Sequence, residues 1–242
     1  MSKSTPGGTA FSHQTRGMFT AIAPRYDFLN QILSVGLDKY WRKKAVDLLK
    51  PTSNELILDI ATGTGDILIE IAKRNISTQN FGIDFSQKML DLARIKVNKL
   101  GFDKDVSFQI GSGELLPYAD KSFDGVLCAF GIRNFYDIKK GLREFYRILK
   151  PGGRLIILEF SMPKNAVIGY VYECYFHFIL PKIGNLISGH ENAYTYLPES
   201  VADFPNQREF INWIKKSGFN KTFFIELSLG IVSIHSSHKP MC

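Results

Sequence analysis

Two aspartates and the loop between them carry the first chemical signal. Asp59 follows the hydrophobic run Leu56-Ile57-Leu58, and Asp84 follows Phe81-Gly82-Ile83. Between them lies Ala61-Thr62-Gly63-Thr64-Gly65-Asp66, which opens a helical pattern. Gly63 and Gly65 let the backbone pass close to a ligand where a Cβ would clash. Taken alone, such a loop suits a plain strand–turn–helix as well as a cofactor site. Asp84 adds context, because a carboxylate about twenty residues past such a loop can accept hydrogen bonds from both ribose hydroxyls. It could instead cap the helix beginning near Ser86. A dinucleotide loop wants a third glycine, and Leu68 stands in its place. Asp59 would repel a pyrophosphate and attract the sulfonium and ammonium of S-adenosylmethionine. Charge therefore selects the sulfonium cofactor over a nicotinamide dinucleotide.

Strands and helices alternate around these residues. Hydrophobic runs predict strands over 56–60, 80–84, 106–110, 125–130 and 154–160, with helices over 66–74, 86–100 and 137–149. A helix over 207–217 and two strands flanking Ser228-Leu229-Gly230 close the chain. This order implies a parallel, doubly wound α/β sheet, and with the cofactor argument above the expected fold is the Rossmann-like one of S-adenosylmethionine-dependent methyltransferases. Its sheet is expected to be mostly parallel and seven-stranded, with an antiparallel C-terminal edge and a helical lid or insertion. Leu149-Lys150-Pro151-Gly152-Gly153 reads as a helix stop and tight turn, a structural element. Residues 1–15 are expected to be disordered, and 16–242 to form a single methyltransferase domain. Within it, 16–50 is an N-terminal helical segment and 162–204 an aromatic-rich substrate insertion.

Composition narrows the classes further. The 242 residues are 45% hydrophobic and 22% charged, with a net charge of +7. That basic excess suits an anionic surface, but no concentrated basic helix or RNA-binding motif accompanies it, and no nucleic-acid partner is expected. Cys128, Cys174 and Cys242 suggest neither a disulfide framework nor a metal site. The polar start lacks a secretory h-region, and a cytoplasmic location is expected. The most apolar stretch, 166–187, is interrupted by Glu173, His177, Pro181 and Lys182, against a membrane-spanning helix.

Four blocks are more specific. They are Met18-Phe19-Thr20-Ala21-Ile22-Ala23-Pro24-Arg25-Tyr26-Asp27-Phe28-Leu29-Asn30, Phe130-Gly131-Ile132-Arg133-Asn134, Leu158-Glu159-Phe160-Ser161 and Tyr194-Thr195-Tyr196-Leu197-Pro198-Glu199-Ser200. With the glycine loop they make the chain similar to the ubiquinone/menaquinone biosynthesis C-methyltransferases. The resemblance implies cofactor contacts at Thr64, at Asp84 and at Ser112-Gly113. Many relatives carry an acid or amide and an alanine at that last pair, and a serine where Ala129 stands, so the adenine end departs from the pattern. The implied reaction is C-methylation of a prenylated quinol, from demethylmenaquinol to menaquinol or on a ubiquinol precursor.

Carbon becomes a good nucleophile once a ring hydroxyl loses its proton, so a base or a phenolate stabiliser is expected. Arg133 and Asn134 follow the fourth strand, at the end that faces the ligand crevice. Arg133 suits a phenolate but is a poor base, and an ion pair with Asp137 or Glu159 is its structural alternative. Tyr26 and Asn30 could orient the quinol, and His177 could act as a base. Tyr172, Tyr175, Tyr194 and Tyr196 could line a ring pocket or simply pack. A polyprenyl tail keeps the acceptor in the bilayer, so transient contact with the inner face of the membrane is expected, through residues 167–187. A homo-oligomer is left open. The rival readings are an O- or N-methyltransferase, a nicotinamide oxidoreductase and a non-enzymatic binding module.

Overall fold

Long unalternating apolar runs make strands that are covered on both faces. The computed structural model describes residues 17, 23, 26–174 and 196–241. Its strands are β1 (Leu56–Ile60), β2 (Gln79–Asp84), β3 (Val106–Ile110), β4 (Phe123–Ala129), β5 (Leu149–Phe160), β6 (Asn220–Leu227) and β7 (Val232–His238). They form one sheet in the order β3-β2-β1-β4-β5-β7-β6. The pairs from β3 through β5 are parallel, and β7 runs antiparallel to β5 and to β6. The hairpin thus supplies the antiparallel pairing expected at that end, with β7 lying inside β6.

Alternation along the central strands splits the core in two. Leu58, Val126, Leu155 and Ile157 join Phe145 and Phe210 on one face. Ile57, Leu127, Ile156 and Leu158 join Trp41, Leu68 and Ile234 on the other. The helices that matter for the site are α1 (Tyr26–Leu33), α2 (Leu37–Leu49), α3 (Asp66–Ala72) and α4 (Gln87–Leu100). They are followed by α5 (Ile138–Ile148), α6 (Ala166–Cys174), α7 (Tyr196–Asp203) and α8 (Gln207–Lys216). Ser86 caps α4 as expected, its hydroxyl accepting from the Met89 amide at 3.5 Å.

Two local departures have plain causes. β5 starts at Leu149, earlier than expected, because the Pro-Gly-Gly turn is zipped to the C-terminal strand. The Gly152 amide donates to the Lys239 carbonyl at 3.0 Å, and the Lys239 amide donates to the Gly153 carbonyl at 2.9 Å. Lys239 also donates its Nζ to the carbonyls of Tyr146 (2.7 Å) and Leu149 (2.8 Å), satisfying the end of α5. Second, the close helix–strand approach that a third glycine would give is supplied from the strand side. A Cβ on Gly82 of β2 would meet Leu68 Cδ1 at 2.9 Å. The expected disordered start lies outside the described residues, as does 175–195 of the expected insertion.

Candidate active site

Strand order reverses between β1 and β4, and a crevice opens where their carboxyl ends diverge. Ala61, just after β1, and Phe130, just after β4, both adopt left-handed backbone, with φ of 56° and 57°. Such conformations cost roughly 1–3 kcal/mol each and persist where surroundings over-determine them. Gly131 makes the two turns meet, since a Cβ there would lie 2.4 Å from Ala61 Cβ. These three positions form the floor of the crevice. Their backbone geometry is not readable from residue type, Gly131 excepted.

Asp84 fastens the adjoining wall. One carboxylate oxygen accepts the Gly63 amide and the other the Ser86 amide, both at 2.9 Å. Burial raises its pKa, and the amide hydrogen bonds oppose that rise. The Phe85 amide also bonds to this carboxylate. Of about four acceptor sites on a carboxylate three are then used, which leaves one for a ribose hydroxyl beside the helix-capping role. The two loop glycines differ. Gly63 has φ +54°, with Tyr26 Cε1 the nearest atom to an added Cβ at 4.0 Å, so its open side faces the cleft. Gly65 packs instead, its Cβ position lying 3.3 Å from Ala93 and Phe108. Thr64 donates to Asp27 at 2.6 Å and accepts from Lys96 at 3.1 Å, tying the loop to α1 and α4.

Asp59 is buried. One oxygen accepts from the Thr62 hydroxyl at 2.6 Å, and the other, Oδ1, has no partner. Burial, reinforced by the nearby Asp84 charge and opposed by the Thr62 bond, pushes its pKa up to about 7. Three adjoining clefts share Ala61, and one of them reaches Asp59. One of about 530 Å³ is lined by Ser112, Gly113, Glu114 and Asp84. A second, of about 350 Å³, adds Tyr26, Gly63 and Ala129 to Asp84 and Asn134. The third, of about 330 Å³, holds Asp59, Thr64, Asp66 and Arg42. In order, the clefts present an end bordered by Ser112, a middle bordered by Asp84, and an end lined by Asp59 and Asp66. An orphaned carboxylate oxygen at that end fits a cationic amino-acid tail, which is what S-adenosylmethionine presents. The residues fit the cofactor.

Residues 9–239 match the ubiE/COQ5 methyltransferase family. The chain belongs to that family. It is 47% identical over 223 residues to the ubiquinone/menaquinone biosynthesis C-methyltransferase UbiE of Geotalea daltonii, covering 92% of this chain and 94% of that one. A demethylmenaquinone methyltransferase of Deinococcus radiodurans is 46% identical, over 90% of this chain and 89% of its own. Among solved structures, an S-adenosylmethionine-dependent methyltransferase from Thermotoga maritima superposes with a TM-score of 0.66 at 22% identity, covering 93% of this chain and 99% of that one. The [4+2]-cyclase SpnF superposes with a TM-score of 0.71 at 16% identity, over 96% and 97%. Fold likeness to a cyclase shows that the architecture alone does not name the reaction. The family and the site's residues together assign S-adenosylmethionine as cofactor of this methyltransferase.

The family's distinctive blocks converge on Arg133. Its Nη1 pairs with Glu159 and donates to the Phe130 carbonyl at 2.8 Å, and its Nε donates to Ser200 at 3.3 Å. The guanidinium also lies 5.4 Å from the centre of the Phe160 ring. Three sequence blocks, carrying Arg133, Glu159 and Ser200, therefore meet in one buried cluster. Glu159 is fully buried; burial raises its pKa, and Arg133 opposes the rise. Of the two pairings anticipated for Arg133, the structure forms the one with Glu159, while Asp137 caps α5 by accepting from Lys140 at 2.9 Å. Arg133 is not among the residues lining the three clefts, whereas Asn134 lines two of them.

Tyr26 lines two clefts and is hydrogen-bonded with Asn30; burial raises its phenol pKa. Ser112 accepts from the Glu114 amide at 3.2 Å, which leaves another lone pair for an amino donor. Tyr172 is buried on α6. His177, Tyr175 and Tyr194 lie outside the described residues. Two members of the site were not anticipated: Arg42, and Asp27 with its ion pair to Lys96 at 2.8 Å. Neither carries a signal in the sequence, since a charged residue in a helical pattern does not show which way its turn faces.

Proposed function

We propose that this protein transfers the methyl group of S-adenosylmethionine to a ring carbon of a prenylated quinol. The observation that carries the reading is the identity of 47% and 46%, across about nine-tenths of the chain, to enzymes named for quinone C-methylation. The cofactor, when bound, supplies an electrophilic methyl group. Asp84 and the Gly63 edge hold its ribose, Ser112 and Gly113 border its base, and Asp59 faces its cationic end. Tyr26 and Asn134 border the same space and orient the acceptor ring for in-line displacement. Arg133 stabilises the developing phenolate, with Glu159, Phe130 and Ser200 fixing its fork. His177 remains a candidate base. The catalytic unit is one domain over 16–242, with 162–204 as its substrate insertion.

The acceptor's tail places the work at a membrane surface. No helix among the described residues is long and apolar enough to cross a membrane. Instead Phe28, Ile32, Val35, Leu37 and Tyr40 are exposed on α1, α2 and the turn between them, beside exposed Lys39 and Lys43. Val167 and Tyr170 are exposed on α6, the described part of the segment expected to dock. Apolar side chains among lysines suit transient docking on an anionic bilayer.

Incubation with methyl-labelled S-adenosylmethionine and a short-chain demethylmenaquinol, or a ubiquinol precursor, tests the reaction. Label on a ring carbon is expected. Label only on oxygen or nitrogen, or none with either quinol, would overturn it. Flotation with anionic vesicles should show weak, salt-sensitive binding; no binding with prenylated quinol present would remove the membrane contact.

A further inference from the structure

The three clefts are lined by four carboxylates, Asp59, Asp66, Asp84 and Glu114, and by one basic side chain among the described residues, Arg42. The amino-acid end of S-adenosylmethionine has a sulfonium, an ammonium and one carboxylate. The acids account for the cations; the carboxylate needs a donor. Arg42 arrives from α2, is 8% exposed, and lines the same cleft as Asp59, whose buried Oδ1 has no partner.

Its fork is held in place from behind. Nη1 pairs with Asp38, one turn earlier on the helix, and Ser34 in turn donates to Asp38 at 2.9 Å. Nη2 stands 3.5 Å from Asp66, which is shared with Lys96. The guanidinium carbon lies 5.8 Å from the centre of the Phe130 ring. A guanidinium has five N–H donors, more than these partners use. A buried arginine aimed by a carboxylate, with donors to spare at the cleft, is preorganised for a second carboxylate.

We propose that Arg42 binds the α-carboxylate of the methionine moiety of S-adenosylmethionine. With Asp59 in the same cleft, it fixes which way round the amino-acid end sits. Asp38 is then a positioning residue, acting through Arg42.

Calorimetry with two ligands tests this. S-Adenosylhomocysteine carries the amino-acid end, and 5′-methylthioadenosine lacks it. Arg42→Met should weaken S-adenosylhomocysteine about ten- to hundredfold while methylthioadenosine stays within about twofold. Retained methylthioadenosine binding also reports that the variant is folded. If the methionine variant does not fold, Arg42→Lys keeps a charge for Asp38 yet lacks the planar fork, and should lose affinity in the same selective way. Unchanged S-adenosylhomocysteine affinity in a folded variant, or equal weakening of both ligands, would overturn the proposal. The inference rests on the cofactor assignment, which binding of S-adenosylhomocysteine by the unsubstituted protein checks separately.

Discussion

On the β1–β2 side of the crevice, backbone amides hold the groups that face the ligand. Asp84 is clamped between the amides of Gly63 and Ser86, and Gly63 turns its open side to the cleft. On the β4–β5 side, side chains hold side chains: Arg133 is fixed by Glu159 and Ser200 as well as by the Phe130 carbonyl. The first kind of wall depends on a few local residues and suits a constant ligand, the cofactor. The second depends on segments far apart in sequence and, on the proposed reading, serves the acceptor. Substitutions in the two walls should therefore fail differently.

The largest effect is expected at Glu159. Glu159→Ala leaves Arg133 charged and buried without its partner, a loss of about 3–5 kcal/mol. Chemical denaturation would measure it. The double variant Arg133→Met with Glu159→Leu should recover most of that stability and remain without turnover, separating the pair's structural share from its chemical one.

Asp84→Ala probes the opposite wall. Hydrogen bonds to a charged group are worth roughly 1.5–3 kcal/mol, so cofactor affinity should fall about tenfold to several-hundredfold. Because Asp84 also ties two amides, thermal stability should drop as well. A folded variant with full affinity, by calorimetry, would remove the ribose role. Arg133→Lys should leave cofactor affinity within a few-fold and lower turnover by about tenfold or more, because a lysine lacks the planar fork. Normal turnover in steady-state assays would make Arg133 purely structural. Gly63→Ala is the smallest: the left-handed backbone costs roughly 1–2 kcal/mol with a Cβ, and cofactor affinity should weaken alongside.

How far these walls were legible follows from what holds them. The strand ends, the glycine loop and Asp84 are local patterns, and the β1–α3–β2–α4 order could be read directly from them. Leu68 marks the loop as other than a dinucleotide one, yet the partner that makes it fit, Gly82, lies on β2. The cluster of Arg133, Glu159 and Ser200 could only be guessed, because side chains 26 and 67 residues away complete it. Arg42 was invisible as a site residue: an arginine in a helical pattern does not reveal that its turn faces a cleft. The left-handed turns at Ala61 and Phe130 carry no compositional mark at all.

On the proposed reading, Asp59 makes the site one for a cation. Its carboxyl, held near pH 7 by burial, is protonated in the folded protein below that value. An aspartate in the unfolded chain ionises near pH 4. The folded state thus holds the extra proton, and the ligand-free protein loses stability as pH rises from about 4 through about 7. A cationic ligand beside Asp59 favours the ionised form, so its binding expels that proton below pH 7. Calorimetry with S-adenosylmethionine from pH 5.5 to 8, in buffers of different ionisation enthalpy, measures the linkage directly. Affinity should fall by about tenfold for each unit below pH 7, with uptake of a proton by the buffer, and Asp59→Asn should flatten the profile. An affinity independent of pH in the unsubstituted protein would contradict the account.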